Sequence, residues 1–133
     1  MSFVERAPAS IQLFWVRLRL PALLVTRSLD DLLADFSVRT SAASSFRSLE
    51  RALDQAEALT ERLPLIPRTC LYRCIARYAL FRRYGFPVEF VMGISPNGPD
   101  EDGHAWLEFE GEPYREPRAQ EFVVAFRFPS RAR

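Results

Sequence analysis

The chain has 133 residues, enough for one domain with a real hydrophobic core and short for two. Hydrophobic residues make up 48% and charged residues 26%, an ordinary globular composition, and the 18 basic residues, all of them Arg, nearly balance the 17 acidic ones. A net charge of +1 gives no support to nucleic-acid binding by bulk charge, and the lack of Lys excludes a Walker phosphate loop and any Schiff-base or general-base lysine.

The first residues read as a short tail ending at Pro8. From Ser10 to Leu20, Ile11, Leu13, Phe14, Leu18 and Leu20 give a rough helical pattern that Pro21 is expected to interrupt or kink. The stretch Ile11–Val25 carries Arg17, Arg19 and Pro21, which makes it a poor membrane span, and no signal-peptide pattern precedes it. A cytoplasmic location is expected. A second helical run, Ala22–Phe36, sets Leu29, Leu32, Leu33 and Phe36 on one face. The serine-rich segment Thr40–Ser45 offers N-caps for an amphipathic helix through Phe46, Leu49, Leu53, Ala56 and Leu59, which Pro64 and Pro67 are expected to end.

The second half changes character. Thr69–Tyr84 predicts a helix, closed by Gly85 in a left-handed cap with Pro87 beyond it. Val88–Ile94 has strand composition, and Ser95–Gly103 reads as an exposed loop. His104–Phe109 and Glu112–Glu116 predict a hairpin, and Glu121–Phe128 a last strand. The fold class is therefore α+β: a helical region over 1–62, then a core over 63–133 made of one helix and a small antiparallel sheet, the two forming one compact unit.

Thiol and imidazole are scarce, with two Cys and one His, so each carries weight. Cys70 opens the predicted helix, where free backbone N–H groups and the helix dipole favour thiolate. Cys74 lies one turn further in and about 40° round the helix, beyond that help, and reads as a packing residue. No ligand spacing supports a metal site. His104 needs a third group to orient it if it serves a thiol. A three-residue hairpin loop, Phe109-Glu110-Gly111, would pair Glu108 with Glu112 and put Glu116 opposite His104, whereas an even loop would send Glu116 to the other face. Glu108 and Glu112 are weaker candidates for the same task. Trp106 shares a strand face with His104, where it either shields the pair from water or fills the core. Arg73 either supports the helix or meets substrate.

A helix-opening Cys, a strand-borne His and a carboxylate on the next strand form the layout of papain-like and transglutaminase-like thiol enzymes. The segments Cys70-Leu-Tyr-Arg-Cys74, Leu80-Phe-Arg-Arg-Tyr-Gly85 through Gly93, and His104-Ala-Trp-Leu-Glu-Phe-Glu-Gly111 together resemble the leader peptidase of lasso peptide biosynthesis, in its stand-alone form. The resemblance covers about residues 63–117. It implies Cys70 as nucleophile, His104 as general base and, twelve residues on, the third member of a triad. The family usually has Asp there, and this chain has Glu116, one methylene longer. Cys74 falls where the family commonly has a small Ser.

The same resemblance implies a transglutaminase-like core and a cysteine endopeptidase that removes the leader from a lasso precursor peptide without cofactor or metal. It also implies partners: the leader region of the precursor, a leader-recognition protein, and the separate ATP-dependent cyclase. Phe14, Trp15 and Leu18 are a candidate docking surface for the recognition protein, or else they cover the core. Two other readings stay open from the residues: a thiol acyltransferase using the same triad, and a non-catalytic scaffold in which Cys70 and His104 are structural.

Overall fold

The computed structural model describes residues 8–37, 45–62, 70–96 and 103–129, the side chain of Cys70 excepted. The expected N-terminal tail up to residue 7, most of the serine-rich connection, the prolines at 64 and 67 and the middle of the Ser95–Gly103 loop lie outside the described residues.

Helix α1 spans Ala9–Thr26 and runs through Pro21 without ending there. That corrects the expected break. Pro21 removes only its own N–H donor, and the helix stays anchored because Leu13, Val16 and Leu20 are core residues on its inner face. The break comes instead at extended Arg27 and Ser28, whose hydroxyl accepts from Asp31 N at 3.2 Å and starts α2, Leu29–Phe36. Asp30 and Asp31 in its first turn complement the helix dipole. α1 is apolar and long enough, by length and composition alone, to cross a membrane.

Ser45 caps α3, Phe46–Thr60, by accepting from Ser48 N at 3.1 Å. Leu49, Leu53 and Ala56 form its buried stripe at the expected spacing, but Leu59, expected on that face, is exposed, and Thr60 takes the buried place one residue on, its hydroxyl donating to Ala56 O at 2.6 Å. Helix α4 is Cys70–Arg83. Its end follows from Gly85, at φ 94°. The Phe86 N–H reaches Phe81 O at 2.8 Å and Gly85 N–H reaches Arg82 O at 3.0 Å, which together close a Schellman cap.

Four strands follow: β1 Glu89–Ile94, β2 His104–Phe109, β3 Glu112–Tyr114 and, after a 3-10 turn at Ala119–Glu121, β4 Val123–Phe128. Their order is β3-β2-β1-β4, antiparallel throughout. The architecture is α+β, four helices before a four-stranded antiparallel sheet. β2 is buried at four successive residues because the sheet is covered on both faces. Ala105 and Leu107 face the helices and join one core with Leu13, Leu33, Leu53, Ile75 and Phe81. Trp106 faces the other way, into a smaller cluster with Val91, Ala119 and Phe122. The main core thus draws on all four helices and the sheet, and it fixes α3 and α4 against one side of β2.

Candidate active site

His104 is the first residue of β2 and lies opposite Gly93 of β1. Side chains alternate along a strand, so His104 and Trp106 share a face. Phe122 stacks on the imidazole with ring centroids 5.2 Å apart, and Trp106 lies 6.2 Å from it on the same side. Trp106 fills a second, smaller core with Val91, Ala119 and Phe122, and its ring also borders His104, so its position answers to both expected roles. Gly93 makes the packing possible. A Cβ there would lie 2.8 Å from Phe122 Cβ and 2.9 Å from the Trp106 ring, too close for either rigid neighbour. Gly93→Ala is expected to destabilise the fold by about 1–3 kcal/mol through overpacking, read as a lower urea midpoint at unchanged slope.

Glu116 reaches His104 by a route that the sequence did not predict. The hairpin loop has two residues, not three: Phe109 pairs with Glu112, Glu108 with Pro113 and Leu107 with Tyr114. Glu110 and Gly111 both have positive φ, at 50° and 84°, as a type I′ turn requires. Glu tolerates that position poorly, which is why the lone glycine pointed to the wrong loop length. Continued unchanged, this register would put Glu116 on the face away from His104. Pairing stops at Tyr114, however, and Arg115 takes φ 53°, a left-handed turn that costs a non-glycine residue on the order of 1 kcal/mol. The chain folds back, and Glu116 Oε2 meets His104 Nε2. Its other oxygen accepts from the Arg118 N–H at 3.2 Å. The carboxylate is mostly buried, and Nδ1 is the imidazole nitrogen that it does not engage.

A ladder of opposite charges joins α3 to this region. Glu50, Asp54, Glu57 and Glu61 recur at four- and three-residue spacing along α3, on one face. Arg115 pairs with Glu50 at 2.9 Å and with Asp54 through both terminal guanidinium nitrogens, at 2.7 and 3.1 Å. Buried Arg77 of α4 donates to both oxygens of Glu57, at 2.7 and 2.9 Å, and also to Asp54. Arg73 reaches Glu61 at 3.3 Å. Burial alone would pull the Arg77 proton affinity down, but the Glu57 hydrogen bonds and charge outweigh it and the guanidinium sits above its ordinary range. Burial pushes the Tyr114 phenol up, and its hydroxyl donates to Glu50 at 2.5 Å.

The hydrogen bonds from Arg115 hold the Asp54 carboxyl below its ordinary range, with Arg77 adding to the effect. A depressed carboxyl stabilises the fold above its unfolded pKa of about 3.9, and that contribution is lost as pH falls through the folded value. The urea midpoint of the wild type is therefore expected to exceed that of Asp54→Asn at neutral pH. The gap should close below about pH 4.

Helix α4 runs in the same direction as β2, since Cys74 Sγ lies 3.2 Å from Ala105 O near its start and the Phe81 ring packs on Phe109 at its end. Its first residue, Cys70, is therefore carried one turn beyond Cys74, toward the end of β2 at which His104 sits. The N–H groups of that first turn have no partner within the helix. Cys74 is half-buried beside a cleft of about 250 Å³ whose wall also includes Arg73, Arg77, His104, Tyr114 and Glu116. Its thiol donates to the Ala105 carbonyl and packs against the core.

The remaining carboxylates expected near His104 are elsewhere. Glu108 binds Trp106 Nε1 at 3.2 Å and Arg127 at 2.7 Å, and Glu112 is exposed at the far end of β2. Among the described residues no group of His, Cys, Asp and Glu is placed to hold a metal ion. Arg115, Asp54, Glu50 and Phe122 had no role in the sequence reading, and Gly93 entered it only as the end of a motif segment. The acidic spacing along α3 against Arg73 and Arg77 of α4 was the available sign of the ladder. Nothing local marked Arg115 as a turn.

Compared with known proteins, residues 14–127 match the model of the Transglutaminase-like superfamily. No curated protein and no solved structure matches.

Proposed function

The chain belongs to the transglutaminase-like superfamily, and from that membership we propose that it is a cysteine peptidase removing the leader from a lasso precursor peptide. The observation that carries the reading is the Glu116 carboxylate on His104 Nε2, at the lip of a cleft shared with α4, whose first residue is a cysteine. The motif resemblance over residues 63–117 supplies the substrate class.

In this mechanism the Cys70 thiol gives its proton to His104 Nδ1, the nitrogen left open by Glu116. The thiolate attacks the carbonyl that joins leader to core peptide. Backbone N–H groups of the first turn of α4, which a helix does not pair internally, stabilise the oxyanion that forms. The imidazolium, steadied by Glu116, protonates the departing amine of the core peptide and the C–N bond breaks. A water molecule, deprotonated by His104, then hydrolyses the thioester and frees the leader with a terminal carboxylate. Phe122 and Trp106 over the ring limit its access to solvent.

The exposed stripe Ile11, Trp15, Leu18 and Val25 on α1 supports a docking surface for the leader-recognition protein, while half-buried Phe14 contributes less. The expected setting is cytoplasmic, with the cyclase acting on the released amine. Mass spectrometry of the precursor peptide incubated with the protein and the recognition protein tests the reading. A leader fragment ending in a free carboxylate is the expected product. A leader joined to an added amine would assign acyl transfer instead, and an intact precursor would remove the peptidase reading.

A further inference from the structure

We propose that Arg115 is a positioning residue for the His104–Glu116 pair: Glu50 and Asp54 of α3 grip its guanidinium, hold its backbone in the left-handed turn and so aim Glu116 at His104. The inference rests on the reading of that pair as catalytic. The hairpin register carries Glu116 away from the imidazole, and the turn at φ 53° restores it. A non-glycine residue keeps such a backbone when its surroundings impose it. Here they do so through a fork: Asp54 takes both terminal nitrogens, and Glu50 lies 2.9 Å away. The preceding residue is pinned to the same helix, since the Tyr114 hydroxyl donates to Glu50 and its ring packs edge-on to Phe46. α3 is itself seated by Leu49 and Leu53 in the core. Two consecutive residues thus dock on α3 immediately before the one that docks on His104.

The guanidinium and Asp54 are about half exposed, and exposed pairs contribute little to global stability. The clamp should therefore act on geometry more than on melting temperature. Because His104 is the chain's one histidine, a downfield imidazole N–H proton resonance, assigned to Nε2 by ¹⁵N labelling, reports the Glu116 contact. The wild type is expected to show it. Arg115→Gly, which permits positive φ but removes the guanidinium, and the double variant Glu50→Gln/Asp54→Asn, which keeps Arg115, should both lose it. The methyl signals of Leu53 and Ile75 should stay in place. In the peptidase assay kcat should fall about 10²-fold with KM little changed, and Arg115→Lys should recover part of the loss.

Retention of the resonance and of kcat in Arg115→Gly would overturn the proposal, as would absence of the resonance from the wild type. Arg115→Gly leaves Glu50 accepting from the Tyr114 hydroxyl and Asp54 from Arg77, so it decides the matter should the double variant not fold. If the wild type cuts no precursor, the peptidase reading fails on that result alone, and the resonance still tests the clamp.

Discussion

Cys70→Ala should abolish leader cleavage, with a loss of several orders of magnitude in kcat, because nothing replaces the nucleophile in a thiol mechanism. Cys74→Ser should keep most of the activity. The contrast follows from one helical turn. Cys70 opens α4, where the first-turn N–H groups and the dipole favour a thiolate and can receive the oxyanion. Cys74 lies inside the helix, its thiol donating to Ala105 O and packed against the core. A serine hydroxyl is close to it in size and keeps a donor for the same carbonyl. Liquid chromatography with mass detection, run on both variants with the same precursor, separates the two outcomes. Activity lost in Cys74→Ser and kept in Cys70→Ala would reverse the assignment.

Glu116→Gln should lower kcat by roughly 10³- to 10⁴-fold while leaving the fold in place, the scale seen when the orienting carboxylate of a triad becomes an amide. The amide keeps the volume of the carboxylate, and its oxygen can still accept from Nε2, but it no longer balances the imidazolium that forms when Cys70 gives up its proton. If the amide turns its NH₂ group to the ring instead, it selects the wrong tautomer. Stopped-time assays of initial rate, with circular dichroism to check the fold, measure the effect. Activity within a factor of a few of the wild type would take Glu116 out of the mechanism. Glu108, held by Trp106 and Arg127, is not placed to substitute for it.

Much of the fold was legible because local patterns and tertiary packing agree. The stripe from Leu49 to Ala56 is the buried face of α3, Gly85 closes α4 by a Schellman cap, and the strands at 89–94 and 104–109 pair directly. Where the two disagree, the sequence misled. Pro21 argued for a break, yet the buried inner face of α1 carries the helix past it. The hairpin is the sharper case. One glycine at 111 suggested a three-residue loop, and the chain instead uses Glu110 and Gly111 in a two-residue turn, then corrects the direction of Glu116 at Arg115. The Glu116–His104 contact was thus anticipated through a register that does not occur. The forces behind it come from Glu50 and Asp54, more than sixty residues earlier in the chain, and no local window contains them.

The fold and the His–Glu contact acquire a catalytic meaning only if Cys70 is a reactive thiol coupled to His104. Alkylation with iodoacetamide at neutral pH, followed by peptide mapping, asks this directly. Stoichiometric labelling of Cys70 well ahead of Cys74 is expected, with that preference lost in His104→Ala. Equal or faster labelling of Cys74, or labelling of Cys70 that does not depend on His104, would contradict it.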